Sequence, residues 1–412
     1  MTREITLWSA VQTAERIGNK DVSVVEVTQA HIDRMDAVNP TLNAITTPVT
    51  EALDTARALD NAGVPEDCGP LYGVPVTTKI NVDQAGYANS NGVPAYKDNA
   101  GPNDSPVVAN LKNAGAIIIG RTNTPEFSMR WSTSNPLHGV TRNPWDASVT
   151  PGGSSGAAAA AVASGIGAVA HGNDLGGSLR YPAYCCGVTT IRPSFGRVPM
   201  GSPNQATERP PLTQTMSVQG PIARNVADVR AGLQVMSARS SYDPLQIQAP
   251  GSGRIREGKI TVGFAINPFN APLDSAVETA MKTALEGLKS AGIATREISP
   301  PFADDAVDLW GGLLMTEARH TLHAAIKEHG SHEMNTMLGY YFDRFPELDV
   351  DGMFTAMSQK IKVQRAWSQM FDDVDIFMMP TSLSRPLEND LDFKSPDRIP
   401  DILDSQRPLQ AI

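Results

Sequence analysis

Three short stretches of this sequence set a chemically active side chain against glycines or at the end of an apolar strand. Lys79 closes the run Val74–Lys79, where burial would keep an amine short of its usual charge. Ser154 and Ser155 lie in Gly152-Gly153-Ser154-Ser155-Gly156, a glycine-rich turn ahead of the alanines at 157–161. Ser178 follows Asn173-Asp174-Leu175-Gly176-Gly177, whose glycines let successive N–H groups converge on one point, as an oxyanion requires. A hydroxyl, an amine that can be neutral and a set of convergent N–H donors are the parts of an acyl-transfer site. Each part also has an ordinary explanation: a strand-end lysine reaching solvent, a serine helix cap and a glycine turn.

Three other patterns compete. Gly165-Ile-Gly167-Ala-Val-Ala170 fits a dinucleotide fingerprint, but a helix pattern precedes it and a strand follows, the reverse of what that fingerprint needs. His320, His323, His329 and His332 could suggest a metal; with no H-E-x-x-H and no cysteine nearby they read as a solvated helix face, and no metal is expected. Gly152 to Gly156 also matches G-x-S-x-G, the elbow of an esterase of α/β-hydrolase type. It would make Ser154 the nucleophile, with Asp308 and His320 as later partners by chain order alone.

The elements that must position these residues alternate. Ser23-Val-Val-Glu26 is a capping box opening a helix that should stop before Asn39-Pro40. Ser105-Pro106 starts another helix, and Gly115–Gly120 reads as a strand buried on both faces. A small-residue helix at 156–164 leads into a strand at Ile166–Ala170. Connections loosen at 201–215 and 239–256, and the alternation resumes with a strand at Ile260–Ile266. Helices at 273–290, 304–328 and 352–371 and a strand at Asp375–Met379 follow. Alternating strands and helices imply an α/β fold, a sheet covered by helices on both faces.

Composition sets the outer limits. The 412 residues carry 34 Lys+Arg against 44 Asp+Glu, a net charge of −10, which argues against gripping nucleic-acid phosphates. Residues 147–173 hold no Asp, Glu, Lys or Arg, yet are Ala, Gly and Ser rather than the Leu and Phe that drive membrane insertion. Cys68, Cys185 and Cys186 are too few and too odd for a disulfide framework and read as packed thiols in a reducing, cytoplasmic setting. The opening MTREITLWSA has no apolar signal core.

The stretch 120–199, from GRTNTPEFS through TPGGSSGAAAAAVASGIGAVAHGNDLGGSLRYPAYCCGVTTIRPSFGRVP, resembles the amidase signature family. The likeness extends to GPLYGVPVTTKINVDQAG (69–86) and SVQGPIARNVADV (217–229), and more loosely to 375–380. HGNDLGGSLRYPAY is most similar to the broad amidase and indoleacetamide-hydrolase-like branch. The resemblance implies one domain over 1–412, with a catalytic core at 69–229 and a variable helical and substrate-pocket region at 230–412. A single large mixed central sheet is the fold it implies. Members usually continue past Asp404-Ser-Gln-Arg-Pro-Leu409 with further strands, so completion of that sheet beyond Ile412 stays open.

For chemistry the resemblance implies a Ser–cis-Ser–Lys triad: Ser178 as nucleophile, Ser154 as bridge after a cis Gly153–Ser154 peptide, and Lys79 as general base. The backbone N–H groups of Leu175, Gly176, Gly177 and Ser178 would hold the oxyanion, with Asp174 and Arg180 fixing the turn and Ser155 holding the Lys79 ammonium. Lowering a lysine from about 10.4 to near 7–8 takes roughly three units, on the order of 4 kcal/mol of burial. Departures from the family pattern are Asn173 where Thr is common and Ile80 where an acid often follows the lysine. Met129 and Trp131, with Trp310, Met315 and Tyr340 further on, could line an apolar acyl pocket or simply pack. The expected partner is a small-molecule amide, with no cofactor, nucleic acid or membrane, and a homodimer is allowed. Three alternatives remain: a non-hydrolytic or truncated member, a glutaminase-type subunit of an amidotransferase, and the esterase.

Overall fold

The computed structural model describes residues 2–249 and 259–411. It divides into two compact units, Met1–Gly251 with Pro386–Asp390, and Ser252–Arg385 with Leu391–Ile412. Residues 250–256 of the connection read at 239–256, and Ile412, lie outside the described residues.

Six strands form the sheet of the first unit: β1 (Ile45–Pro48), β2 (Pro75–Lys79), β3 (Ile117–Thr122), β4 (Val169–Asp174), β5 (Thr189–Thr190) and β6 (Val218–Ala223). Their order across the sheet is β1-β3-β2-β4-β6-β5. The central pairs β3–β2 and β2–β4 are parallel and the outer ones antiparallel, so the sheet is mixed. Every residue of β2, β3 and β6 is buried, and the Ile117–Ile119 start of β3 accordingly reads as a continuous apolar run rather than an alternating one. Helices Val24–Leu42, Pro106–Asn113, Gly156–Ala163 and Val226–Met236 pack on this sheet.

The Gly156–Ala163 helix takes up the charge-free run, and Ala157 through Val162 are all 0% exposed. Small side chains let its backbone close on the strands, where larger ones would overfill the space. No described helix is long and apolar enough to cross a membrane.

Two boundaries differ from expectation. The capping box at Ser23 is present, but its helix runs through Pro40 to Leu42 and ends on Asn43 in the left-handed region. Proline in the last turn forfeits one hydrogen bond, and Asn39 compensates by accepting from the N–H groups of Ala44 and Ile45. The strand expected at Ile166–Ala170 is β4, running on to Asp174, because β6 pairs with it along its full length.

The second unit holds β7 (Thr261–Phe264), β8 (Ala294–Glu297) and β9 (Ile376–Met378), in the order β8-β7-β9 and all parallel. The strands read near 260 and 376 thus form a smaller sheet of their own, in which β7 takes β8 and β9 as its two neighbours. Around them are helices Ser275–Ser290, Ala303–Thr321, His323–His329, His332–Arg344 and Val350–Asp373. The long helix expected at 304–328 breaks at Leu322.

Candidate active site

Parallel pairing of β2 with β4, Val76 opposite Val169 and Thr77 opposite Ala170, brings the carboxyl ends of both strands to the same edge. Open α/β sheets place their ligands outside such ends. Lys79 ends β2 and is wholly buried. Its Nζ lies 2.7 Å from Ser154 Oγ, 2.8 Å from Asn173 Oδ1 and 3.2 Å from Ser155 Oγ. All three partners are uncharged. Burial drives the Lys79 pKa well below the usual lysine value, against only a weaker upward pull from the Asp174 charge. The nearby imidazole adds no charge of its own. Burial brings His171 down to about 4, and its Nδ1 accepts from the Lys79 N–H, leaving Nε2 to donate to Gln219 Oε1.

The serine turn is pressed against the 130–133 backbone. A Cβ on Gly153 would sit 2.2 Å from the Arg130 carbonyl oxygen and 2.8 Å from the Trp131 carbonyl carbon, so only glycine fits. The Gly153–Ser154 peptide is cis. Thr133 Oγ1 donates to the Gly152 carbonyl at 2.7 Å, and Thr124 Oγ1 to that of Ser154 at 3.2 Å. Ser155 N–H then donates to the Ser178 carbonyl at 3.2 Å, which joins the turn to the loop after β4. Ser178 itself is half-buried.

That loop is organised by Asp174. Its carboxylate accepts from the N–H groups of Gly177 (2.9 Å) and Leu179 (3.1 Å) and from Arg180 Nε and Nη2 (3.1 and 3.0 Å), with Arg192 at 3.5 Å. Burial alone would raise its pKa; Arg180, Arg192 and the Gly177 N–H outweigh it and hold the carboxyl well below the usual range. Asp174 and Arg180 are thus paired within this loop. Gly177 departs from expectation: its N–H is committed to Asp174, and its φ of +99° serves the turn. Trp131, 7% exposed, donates Nε1–H to the Gly176 carbonyl at 2.9 Å, bracing the loop with its polar edge. Met129 is half-buried just after the Glu126–Ser128 turn.

Sequence reasoning missed Asn81, Ser128 and Asn91. Asn173 Nδ2 donates to Asn81 Oδ1 (2.9 Å), Asn81 Nδ2 to Ser128 Oγ (3.0 Å), and the Ser128 hydroxyl to Asn91 Oδ1 (2.6 Å). Asn81 two residues past the lysine was the one available signal. Nothing in the sequence announces that Phe127 and Ser128 adopt φ of 54° and 56°.

The competing patterns find other settings. His320 Nε2 pairs with Glu347 at 2.8 Å and Asp308 with Arg344 at 3.2 Å, while Ser154 is engaged by Lys79. Gly165 and Gly167 turn the chain from the end of the Gly156–Ala163 helix into β4. Cys185 and Cys186 are buried free thiols, both pushed up by burial and so unreactive as thiolates. Met315 is buried and Trp310 packs edge-on against Phe345.

A family profile described as Amidase matches residues 26–404. An indoleacetamide hydrolase of Bradyrhizobium diazoefficiens is 45% identical over 379 residues, covering 92% of this chain and 72% of that protein. An acylamidase of Rhodococcus erythropolis is 30% identical over 93% of this chain and 81% of its own length. Among solved structures, a bacterial aryl acylamidase of the amidase signature family superposes with a TM-score of 0.79 at 26% identity, covering 93% of this chain and 81% of that one. A profile spanning most of the chain, with a relative at this identity, makes it a member of the amidase signature family and a hydrolase of amides.

Proposed function

We propose that the chain hydrolyses carboxylic amides through an acyl-enzyme on Ser178, with Lys79 as general base acting through Ser154. The observation that carries this reading is the fully buried Lys79 amine 2.7 Å from Ser154 Oγ, among partners that bear no charge. A neutral amine takes the Ser154 proton as Ser154 takes that of Ser178, and the Ser178 oxygen adds to the amide carbon. Backbone N–H groups of Leu175, Gly176 and Ser178 meet the developing oxyanion, where one donor is typically worth about 10²–10³ in rate. The proton returns by the same path to the leaving nitrogen, and water then cleaves the ester. Aryl-acetic amides are the first substrates to try, indole acetamide ahead of a short aliphatic amide and glutamine, on the strength of the 45% identity with the indoleacetamide hydrolase. The free thiols fit a reducing, cytoplasmic setting.

Ser178→Ala should abolish turnover, and a fluorophosphonate should label Ser178. Label on Ser154, or turnover surviving in Ser178→Ala, overturns the mechanism.

A further inference from the structure

A neutral primary amine has two N–H donors and one lone pair, and a general base works only if the lone pair faces the proton it must take. Three groups surround Lys79 Nζ: Ser154 Oγ, Asn173 Oδ1 and Ser155 Oγ. The Asn173 oxygen can only accept. Ser155 Oγ is also presented as an acceptor, because its hydroxyl proton goes to the Asn173 carbonyl at 3.3 Å. Both N–H groups of the neutral amine therefore have acceptors, which leaves the lone pair for the Ser154 hydroxyl.

This arrangement depends on which end of the Asn173 amide faces the lysine, and Asn173 does not settle that alone. Asn81 Oδ1 receives its NH₂, while the Asn81 NH₂ is directed at Ser128 Oγ, whose own proton runs to Asn91 Oδ1. Asn91 and Ser128 both hold left-handed backbone, at φ 48° and 56°. We propose that Asn81 is a positioning residue: through this chain it locks the Asn173 amide with oxygen toward Lys79 and so fixes the rotation of the amine on Ser154. A flipped Asn173 would present NH₂ to the lysine, donor against donor.

The inference rests on Lys79 being the base, and its test separates the two. Turnover of the best amide and the rate of fluorophosphonate labelling at Ser178 are measured against pH for the parent, Asn81→Ala, Asn173→Thr and the double variant. Asn81→Ala should lower kcat and labelling by about tenfold with KM within about twofold, the loss of one positioning hydrogen bond. In Asn173→Thr there is no amide to flip, so the same change should cost less than about twofold. Asn81→Asp guards against a folding defect: it keeps the acceptor for Asn173, so the alkaline plateau should stay within about threefold while the acid limb moves up beside a new carboxylate. An equal cost of Asn81→Ala in both backgrounds, no cost in either, or a plateau in Asn81→Asp as low as in Asn81→Ala overturns the proposal. Label at a serine other than Ser178 would instead overturn the base mechanism itself.

Discussion

Asn173 and Asp174 are consecutive residues at the end of one strand, and each serves a buried ionisable centre of opposite design. On one side Lys79 is surrounded by two hydroxyls and an amide, with no carboxylate in contact. On the other, Asp174 is surrounded by two guanidinium groups and the backbone N–H groups of Gly177, Leu179 and, at 3.4 Å, Arg180. Strand alternation sends neighbouring side chains to opposite faces, so the two environments share a backbone without sharing partners. The lysine is denied a counter-charge and is pushed toward its neutral, proton-accepting form. The aspartate is given more positive charge than it needs and stays ionised. Withheld compensation favours a neutral amine; generous compensation stiffens a loop.

The largest effect should come from removing the uncompensated group. Lys79→Met should lower kcat/KM by about 10³-fold, within the usual range for a general base. It should also change how stability depends on pH. The folded Lys79 pKa lies below its unfolded value of about 10.4, so between the two the unfolded chain holds the extra proton and stability rises with pH. Thermal denaturation should show that rise in the parent and not in the variant; parallel curves would mean that Lys79 is not forced neutral.

Next comes Asp174→Asn, which strands Arg180 and Arg192 beside a neutral amide and should cost about 3–5 kcal/mol of stability at neutral pH. Because the folded pKa is depressed, this contribution is full above the unfolded value of about 3.9 and is lost as pH falls through the folded one. A penalty that persists unchanged in strong acid would contradict the ion-pair account. The smallest change makes the first region resemble the second. Asn173→Asp places a carboxylate against Lys79, and the acid limb of kcat/KM should move up by about one unit, a loss of about tenfold below that limb. An unmoved limb would mean that the amine is not the titrating base.

How much of this the sequence revealed follows from how local each feature is. The strand ending at Lys79 and the alanine helix were legible because their cause lies in contiguous residues: an apolar run, and small side chains between serine and glycine. The family was legible through a long motif around Ser154 and Ser178, which the bare G-x-S-x-G pattern alone would not have indicated. Trp131 was read for its apolar ring, whereas its indole N–H is what meets the loop after β4, at the Gly176 carbonyl. The Asn91–Ser128–Asn81 chain escaped notice because three separate segments supply it, and its geometry rests on backbone angles that residue types do not advertise. The central mixed sheet was expected, but not that the strands near 260 and 376 would form a smaller sheet of their own, since strand patterns show that strands exist but not which neighbours they choose.

The segment Pro386–Asp390 belongs to the first unit although the second lies between them in sequence. Asp390 accepts from the fully buried Arg130 at 2.8 Å and from Ser134, and Leu387 N–H is held by the Tyr181 hydroxyl at 3.1 Å. Arg130 also supplies the carbonyl against which Gly153 is pressed. During synthesis this has a definite order. A ribosome that has made the lysine, both serines and the whole six-stranded sheet has not yet made the Asp390 carboxylate, and must first add the Ser252–Arg385 part of the second unit. Such long-range closure slows folding relative to local contacts. The nascent first unit thus lacks the Asp390 contact to the segment that presses on its serine turn until more than a hundred residues of the second have been added.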